Sequence, residues 1–213
     1  MSRVVLALFM VFIFASTFAQ EIAALTVNPK GEQQLDLATG ITTLPEGGEV
    51  IDTERGLKLN ATFISYKDGE FIEAKGGISE GPFGLLQAPE LRLEVATNTI
   101  TATGGIALTK DGLALTADHL MLAMDSSIAV LTGNIKNTEP AFEAATIVMK
   151  VGAGYALLTS PFSYQSGFAQ FEQANPGSLL QLRQIENEDG TFDYKVSTTL
   201  DEAISTELSP YLP

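Results

Sequence analysis

His119 is the only histidine in this 213-residue chain, and there is no cysteine. Transition-metal sites draw their ligands largely from those two residue types, so neither a metal site nor a metal cofactor is expected. Asp118 precedes His119, but neighbours on an extended strand point to opposite faces and do not form a dyad. Serine is available, yet no Gly-x-Ser-x-Gly elbow presents one as a nucleophile. Glu186, Glu188 and Asp189 form a small acidic cluster and Asp125 opens a polar turn; solvated turns carry such residues far more often than calcium does. A polysaccharide-cleaving β-helix would need carboxylates or bases at repeated positions, and here those positions are apolar or threonine. The expectation is a protein that is not an enzyme, uses no cofactor, and works through apolar surface.

That surface is laid out by a repeat. The pattern Ala-x-x-apolar-x-apolar occurs at Ala61/Ile64/Tyr66, Ala88/Leu91/Leu93, Ala117/Leu120/Leu122 and Ala144/Ile147/Met149, with spacings of 27, 29 and 27 residues. Each copy runs into a turn and then a second alternating run. That run ends on a small pair and an apolar residue: Gly76-Gly77-Ile78, Gly104-Gly105-Ile106, Gly133-Asn134-Ile135 and, degenerate, Ser160-Pro161-Phe162. The apolar period is two, which predicts strands, and threonine suits a half-buried pleated surface. Between Ala117 and Leu120 the inward parity flips, and the same flip recurs after Ala88 and Ala144. A bulge or corner there keeps the core side inward while the strand turns. The glycine pairs are expected to do the same at the other end of each unit by giving φ > 0. Each unit is then a bent hairpin stacked on its neighbours.

Stacking in register predicts one inner wall from Ile64/Tyr66, Leu91/Leu93, Leu120/Leu122 and Ile147/Met149. It predicts an opposing wall from Ile72/Ala74, Ile100/Ala102, Ala129/Leu131 and Ala156/Leu158. The interior is either filled, as in any sandwich, or partly open as a groove lined by these residues. Two features favour the groove: the alanine-rich second wall, and the apolar outer positions Met121, Ala123, Ile128, Val130, Val148 and Leu157.

Residues 1–19 have the layout of a secretory signal peptide: Arg3, an apolar run from Val4 to Phe14, and a small-residue site before cleavage after Ala19. The run is short for a membrane span of about 20 residues; an uncleaved anchor is the alternative. Export is the expectation from this layout. The chain has 12 basic and 26 acidic residues, a formal charge of −14, and loss of Arg3 makes this 11, 26 and −15. Such a surface repels phosphate backbones, so nucleic acid is not a partner. Lacking cysteine, the exported protein has no disulfide framework.

Residues 20–165 read as the β-repeat domain, opened by an atypical unit between Glu21 and Leu59. Residues 166–213 read as a strand hairpin and a helix or tail. Ser178 to Ile185 pairs with Thr191 to Val196 around a Glu188-Asp189-Gly190 turn. Thr199-x-x-Glu202 forms a capping box for a helix with Leu200, Ala203, Ile204 and Leu208 on one face, which covers the last sheet edge and stops at Pro210.

The Gly-Gly/Asn-Ile endings, the Leu115-Thr116-Ala117-Asp118 run and Thr132-Gly133-Asn134-Ile135 resemble the OstA-like periplasmic family of lipopolysaccharide-transport proteins. The resemblance covers roughly Thr39 to Tyr164 and is densest from Gly104 to Ile135. It implies an all-β, solenoid-like jellyroll or "taco" of stacked antiparallel strands that carries glycolipid acyl chains in its interior. It also implies partners among envelope transport proteins of similar fold and head-to-tail self-association through uncovered strand edges. Burial of a chain of about twelve carbons, at ~0.8 kcal/mol per CH₂, gives an upper figure of roughly 9 kcal/mol. The alternative from another class is a filled structural β-solenoid of the envelope, without cargo.

Overall fold

The computed structural model describes residues 20–22, 25–167 and 169–212; the expected signal peptide lies outside the described residues. The chain is all-β with one short C-terminal helix. A first group of short strands comprises β1 (Gln20–Ile22), β2 (Leu25–Pro29), β3 (Gln34–Asp36), β4 (Ile41–Leu44), β5 (Gly48–Asp52), β6 (Leu57–Ala61) and β7 (Phe63–Lys67). Long strands follow: β8 (Phe71–Gly81), β9 (Gly84–Glu94), β10 (Thr99–Lys110), β11 (Leu113–Ala123), β12 (Ile128–Thr138), β13 (Ala141–Lys150) and β14 (Tyr155–Ser166). The chain ends with β15 (Ala169–Gln173), β16 (Leu179–Glu186), β17 (Phe192–Ser197), helix α1 (Glu202–Leu208) and a single 3₁₀ turn at Ser209–Tyr211.

Every long strand bends near its middle and contributes half its length to each of two walls. The split is visible in the partners of β8: its first half pairs with β7 (Phe63↔Lys75), and its second half pairs with β6 (Leu59↔Ser79). At the far end β14 divides in the same way, Tyr155–Thr159 pairing with β16 and Phe162–Ser166 with β15. Register shifts mark the bend between Thr103 and Ile106, Thr116 and His119, Thr132 and Ile135, and Ala144 and Thr146. These are the expected parity flips, and each returns the apolar residues to the inside as the strand crosses from wall to wall. The pairing is antiparallel and does not close into a barrel; β1 and β3 form the edges at one end and β15 and β17 at the other.

Three expectations are corrected. The glycine pairs do not sit at the other end of each unit. Gly77 lies opposite Ala88, Ile106 opposite Ala117 and Ile135 opposite Ala144, so glycine pair and alanine mark the same fold line on adjacent strands. Gly104, Gly105 and Gly133 take φ of +91°, +90° and +75° there, and Asn134 takes +47°. The two expected facing walls are, moreover, one wall. Ile72 pairs with Leu93, Leu93 with Ile100, Ile100 with Leu122, Leu122 with Ala129 and Ala129 with Met149. Strands joined by a tight turn hydrogen-bond to each other in one sheet; they cannot face each other across a core. The second wall comes from the other halves of the same strands, through Val50, Leu59, Leu86, Leu108, Leu115, Ile135 and Phe142, all buried. Both walls enclose one continuous apolar cluster, which β16 extends through Leu180 and Leu182.

The third correction concerns the C-terminus. Asp201, not Thr199, caps α1: its side chain accepts hydrogen bonds from the amides of Ala203 and Ile204. The helix covers a sheet face, not the edge. Ile204 and Leu208 pack on Ile128, Val148 and Leu157, with Val130 alongside. Those outer apolar positions, read as favouring a groove, are therefore the seat of α1. The contact is pinned by Glu207, which takes a salt bridge from Lys150 Nζ at 2.7 Å and a hydrogen bond from the Tyr155 hydroxyl. Lys150, and then Tyr155, hold the Glu207 carboxyl below its ordinary range, while Glu207 and burial push the Tyr155 phenol up to about 12.

Two outcomes follow. Gly133→Ala forces a side chain into left-handed backbone, with its Cβ 2.5 Å from the Asp118 carboxylate, so stability falls by roughly 1–3 kcal/mol in a denaturant titration. The Tyr155 phenol has a folded pKa above its ordinary 10.0, so its stabilising contribution is complete below pH 10 and disappears as pH rises through about 12. Stability in denaturant titrations therefore falls between pH 10 and about 12 in the native chain, and the fall is smaller in Tyr155→Phe.

Candidate functional site, an apolar cleft between the wall tips

Among the described residues, the two walls leave substantial space between them at the mouth near the C-terminal strands. A cleft of about 450 Å³ opens there between the tips of β10, β11 and β13 in the second wall and the tips of β13, β14 and β16 in the first. Its floor is apolar: Leu108, Leu115 and Phe142 on one side, Ile147, Met149, Ala156 and Leu182 on the other. The period-two register puts these side chains inward, since Leu108 pairs with Leu115, Met149 with Ala156 and Ala156 with Leu182. Phe83, from the β8–β9 turn, closes one flank.

The same register sends Lys110 and Leu113 in from the second wall, and Gln184, Glu186, Phe192 and Tyr194 in from the first. The rim is therefore polar while the floor is not. Asp111 and Gly112 form the two-residue turn between β10 and β11, both with positive φ (+46° and +81°), as a type I′ hairpin turn requires. This turn reaches the opposite wall. Gln184 Nε2 donates to the Asp111 carbonyl oxygen at 2.6 Å, and the Tyr194 hydroxyl donates to the same oxygen at 3.2 Å. Burial, with the Asp111 charge second, pushes the Tyr194 phenol up, so it remains a neutral donor at physiological pH. The tie spans the mouth and narrows it.

The sequence-predicted lining residues divide into three sets. Ile147 and Met149 line the cleft. Ile72, Leu91, Leu93 and Ile100 surround a gap of only about 20 Å³, at most a water's worth. Ile64, Leu120, Leu131 and Leu158 are buried in solid interior, Leu122 is buried beside a shallow surface hollow, and Tyr66 is buried with its hydroxyl 3.4 Å from Gln33 Nε2. The alanine-rich rows leave little space, because larger residues on the facing wall fill it; only Ala156 borders the cleft. Leu108, Leu115, Phe142, Leu182 and Tyr194 were not foreseen as lining. The alternation after each glycine pair and the Asp111-Gly112 turn are the signals that point to them.

His119 is exposed, between Thr103 and Thr132 on the outer face of the first wall. Among the described residues no cluster of three or more His, Asp or Glu side chains is placed to hold a metal ion. Asp189 is engaged by the amide and hydroxyl of Thr191 in an ordinary turn. What the arrangement can do is shelter an apolar group behind a polar rim. No family model matches the chain, and no curated protein matches it.

Tyr194→Phe keeps the ring and deletes one of the two bonds across the mouth. The expected cost is about 1 kcal/mol, read as faster amide exchange at the flanking Lys110–Leu113 pair, with little change elsewhere.

Proposed function

We propose that this chain is an exported, non-enzymatic lipid-binding and transfer protein of the cell envelope, which shelters the acyl portion of a lipid in the cleft between its wall tips. The observation that carries this reading is the apolar floor of Leu108, Leu115, Phe142, Ile147, Met149 and Leu182 beneath a polar rim, in a cleft of about 450 Å³. That size falls within the usual range of small-molecule sites, roughly 300–1,000 Å³. The bent-strand, open-ended architecture and the resemblance of Gly104 to Ile135 to the OstA-like family support a place in glycolipid transport and outer-membrane assembly. On this reading the partners are envelope transport proteins of similar fold, engaged through the uncovered strand edges.

A cargo-free structural solenoid is the second reading. It is favoured by the burial of Ile64, Leu91, Leu120 and Leu131 and by the gap of only about 20 Å³ beside Leu91.

Native mass spectrometry of the mature protein, purified from its own host, separates the two. A carrier brings lipid with it, and rebinds an apolar fluorescent probe such as N-phenyl-1-naphthylamine after lipid removal. Met149→Asp, at a half-buried cleft position, weakens probe binding at least tenfold, about 1.4 kcal/mol; Met121→Asp, on the outer face, leaves it unchanged. Absence of both lipid and probe binding supports the structural solenoid.

A further inference from the structure

We infer that the cleft takes one single-chain amphiphile with an uncharged head, in preference to a multi-chain or anionic lipid. The inference rests on the lipid-binding reading above and concerns the same site.

The mouth sets the chain number. The cleft of about 450 Å³ has an apolar floor, and farther along the stack the gap among Ile72, Leu91 and Ile100 is only about 20 Å³. The hydrogen bonds from Gln184 and Tyr194 to the Asp111 carbonyl join the two walls, so a headgroup that splays several chains cannot straddle the opening without breaking them.

Charge sets the head. Two lysines border the cleft, and both are paired: the Lys110 ammonium is 3.2 Å from the Asp111 carboxylate, and Lys150 Nζ is 2.7 Å from the Glu207 carboxylate. Glu186 stands on the opposite side of the rim, and the chain as a whole carries a formal charge of −14. An anionic head meets no free counter-charge there and is repelled by the surrounding field. Hydroxyl groups, by contrast, can exchange hydrogen bonds with Gln184, Tyr194 and Glu186.

Titration of the delipidated mature protein with 1-monolauroylglycerol, dilauroylglycerol and laurate, followed by native mass spectrometry and displacement of the fluorescent probe, tests both parts. The expected result is one monolauroylglycerol per chain, with dilauroylglycerol and laurate at pH 8 each at least tenfold weaker. Ala156→Leu, which fills the floor, weakens monolauroylglycerol at least tenfold. Tyr194→Phe combined with Gln184→Ala, which opens the mouth without filling the floor, narrows the gap between the mono- and diacyl ligands. Circular dichroism identifies any variant that has lost the fold, and the wild-type ligand ranking stands independently of both variants. Equal or tighter binding of dilauroylglycerol overturns the single-chain assignment, and equal or tighter binding of laurate overturns the uncharged head; either result leaves the lipid-carrier reading standing. Failure of every lipid and of the probe to bind defeats that reading, and this inference with it.

Discussion

The structure depends on a bend in the middle of each long strand. A straight strand has two faces and can bury only one of them against a single partner sheet. Here the register shift at Thr116/His119 and its counterparts changes the inward parity in mid-strand, so both halves of β11 turn apolar residues toward the same interior. One hairpin thus supplies both layers of the sandwich. Pairing is passed from strand to neighbouring strand along the stack. Left-handed backbone serves the bend in β8, β10 and β12, where glycine or asparagine recurs on one side of the fold line, with the small alanines Ala88, Ala117 and Ala144 on the neighbouring strands; β14 bends at Ser160-Pro161 without it.

The position of the cleft follows from the ends of the stack. In the early and middle strands the two walls are close enough for Leu86, Leu91, Leu120 and Leu131 to interlock, with exposures of 0–6%. Toward β14 the first wall continues into β16 and β17, and the second into the short β15. The β16–β17 hairpin reaches across to the Asp111-Gly112 turn and leaves space beneath it. Helix α1 is seated on the outside of the same part of the first wall, and its anchor, Glu207, holds Lys150 and Tyr155 at the edge of the cleft. The C-terminal segment therefore does more than end the repeat: it completes the floor through Leu182, ties the mouth through Tyr194, and covers the outer apolar face.

Much of the fold was legible before any coordinates. The period-two alternation, the 27–29-residue spacing and the parity flips led to stacked bent hairpins, and the antiparallel pairings and register shifts have that form. The hairpin of β16 and β17 and the terminal helix were legible as well. The helix cap was misplaced because Thr199 and Glu202 match a capping-box pattern, while Asp201 lies closer to the first free amides. The lining set was less legible. Alternation says that Leu91 and Ile100 point inward; it carries no information on whether another side chain meets them there.

The amino-acid order alone determined which side chains face the interior, where each strand must change direction, and that the chain has a single histidine and no cysteine. Those are local matters, governed by backbone conformation, side-chain alternation and residue type. Tertiary structure decided which inward residues share a wall, which outer residues are covered by α1, and where the walls part. These depend on the distance between segments remote in sequence, such as Asp111 and Tyr194, and such a distance emerges only when twist, bends and side-chain volumes are summed over the whole stack.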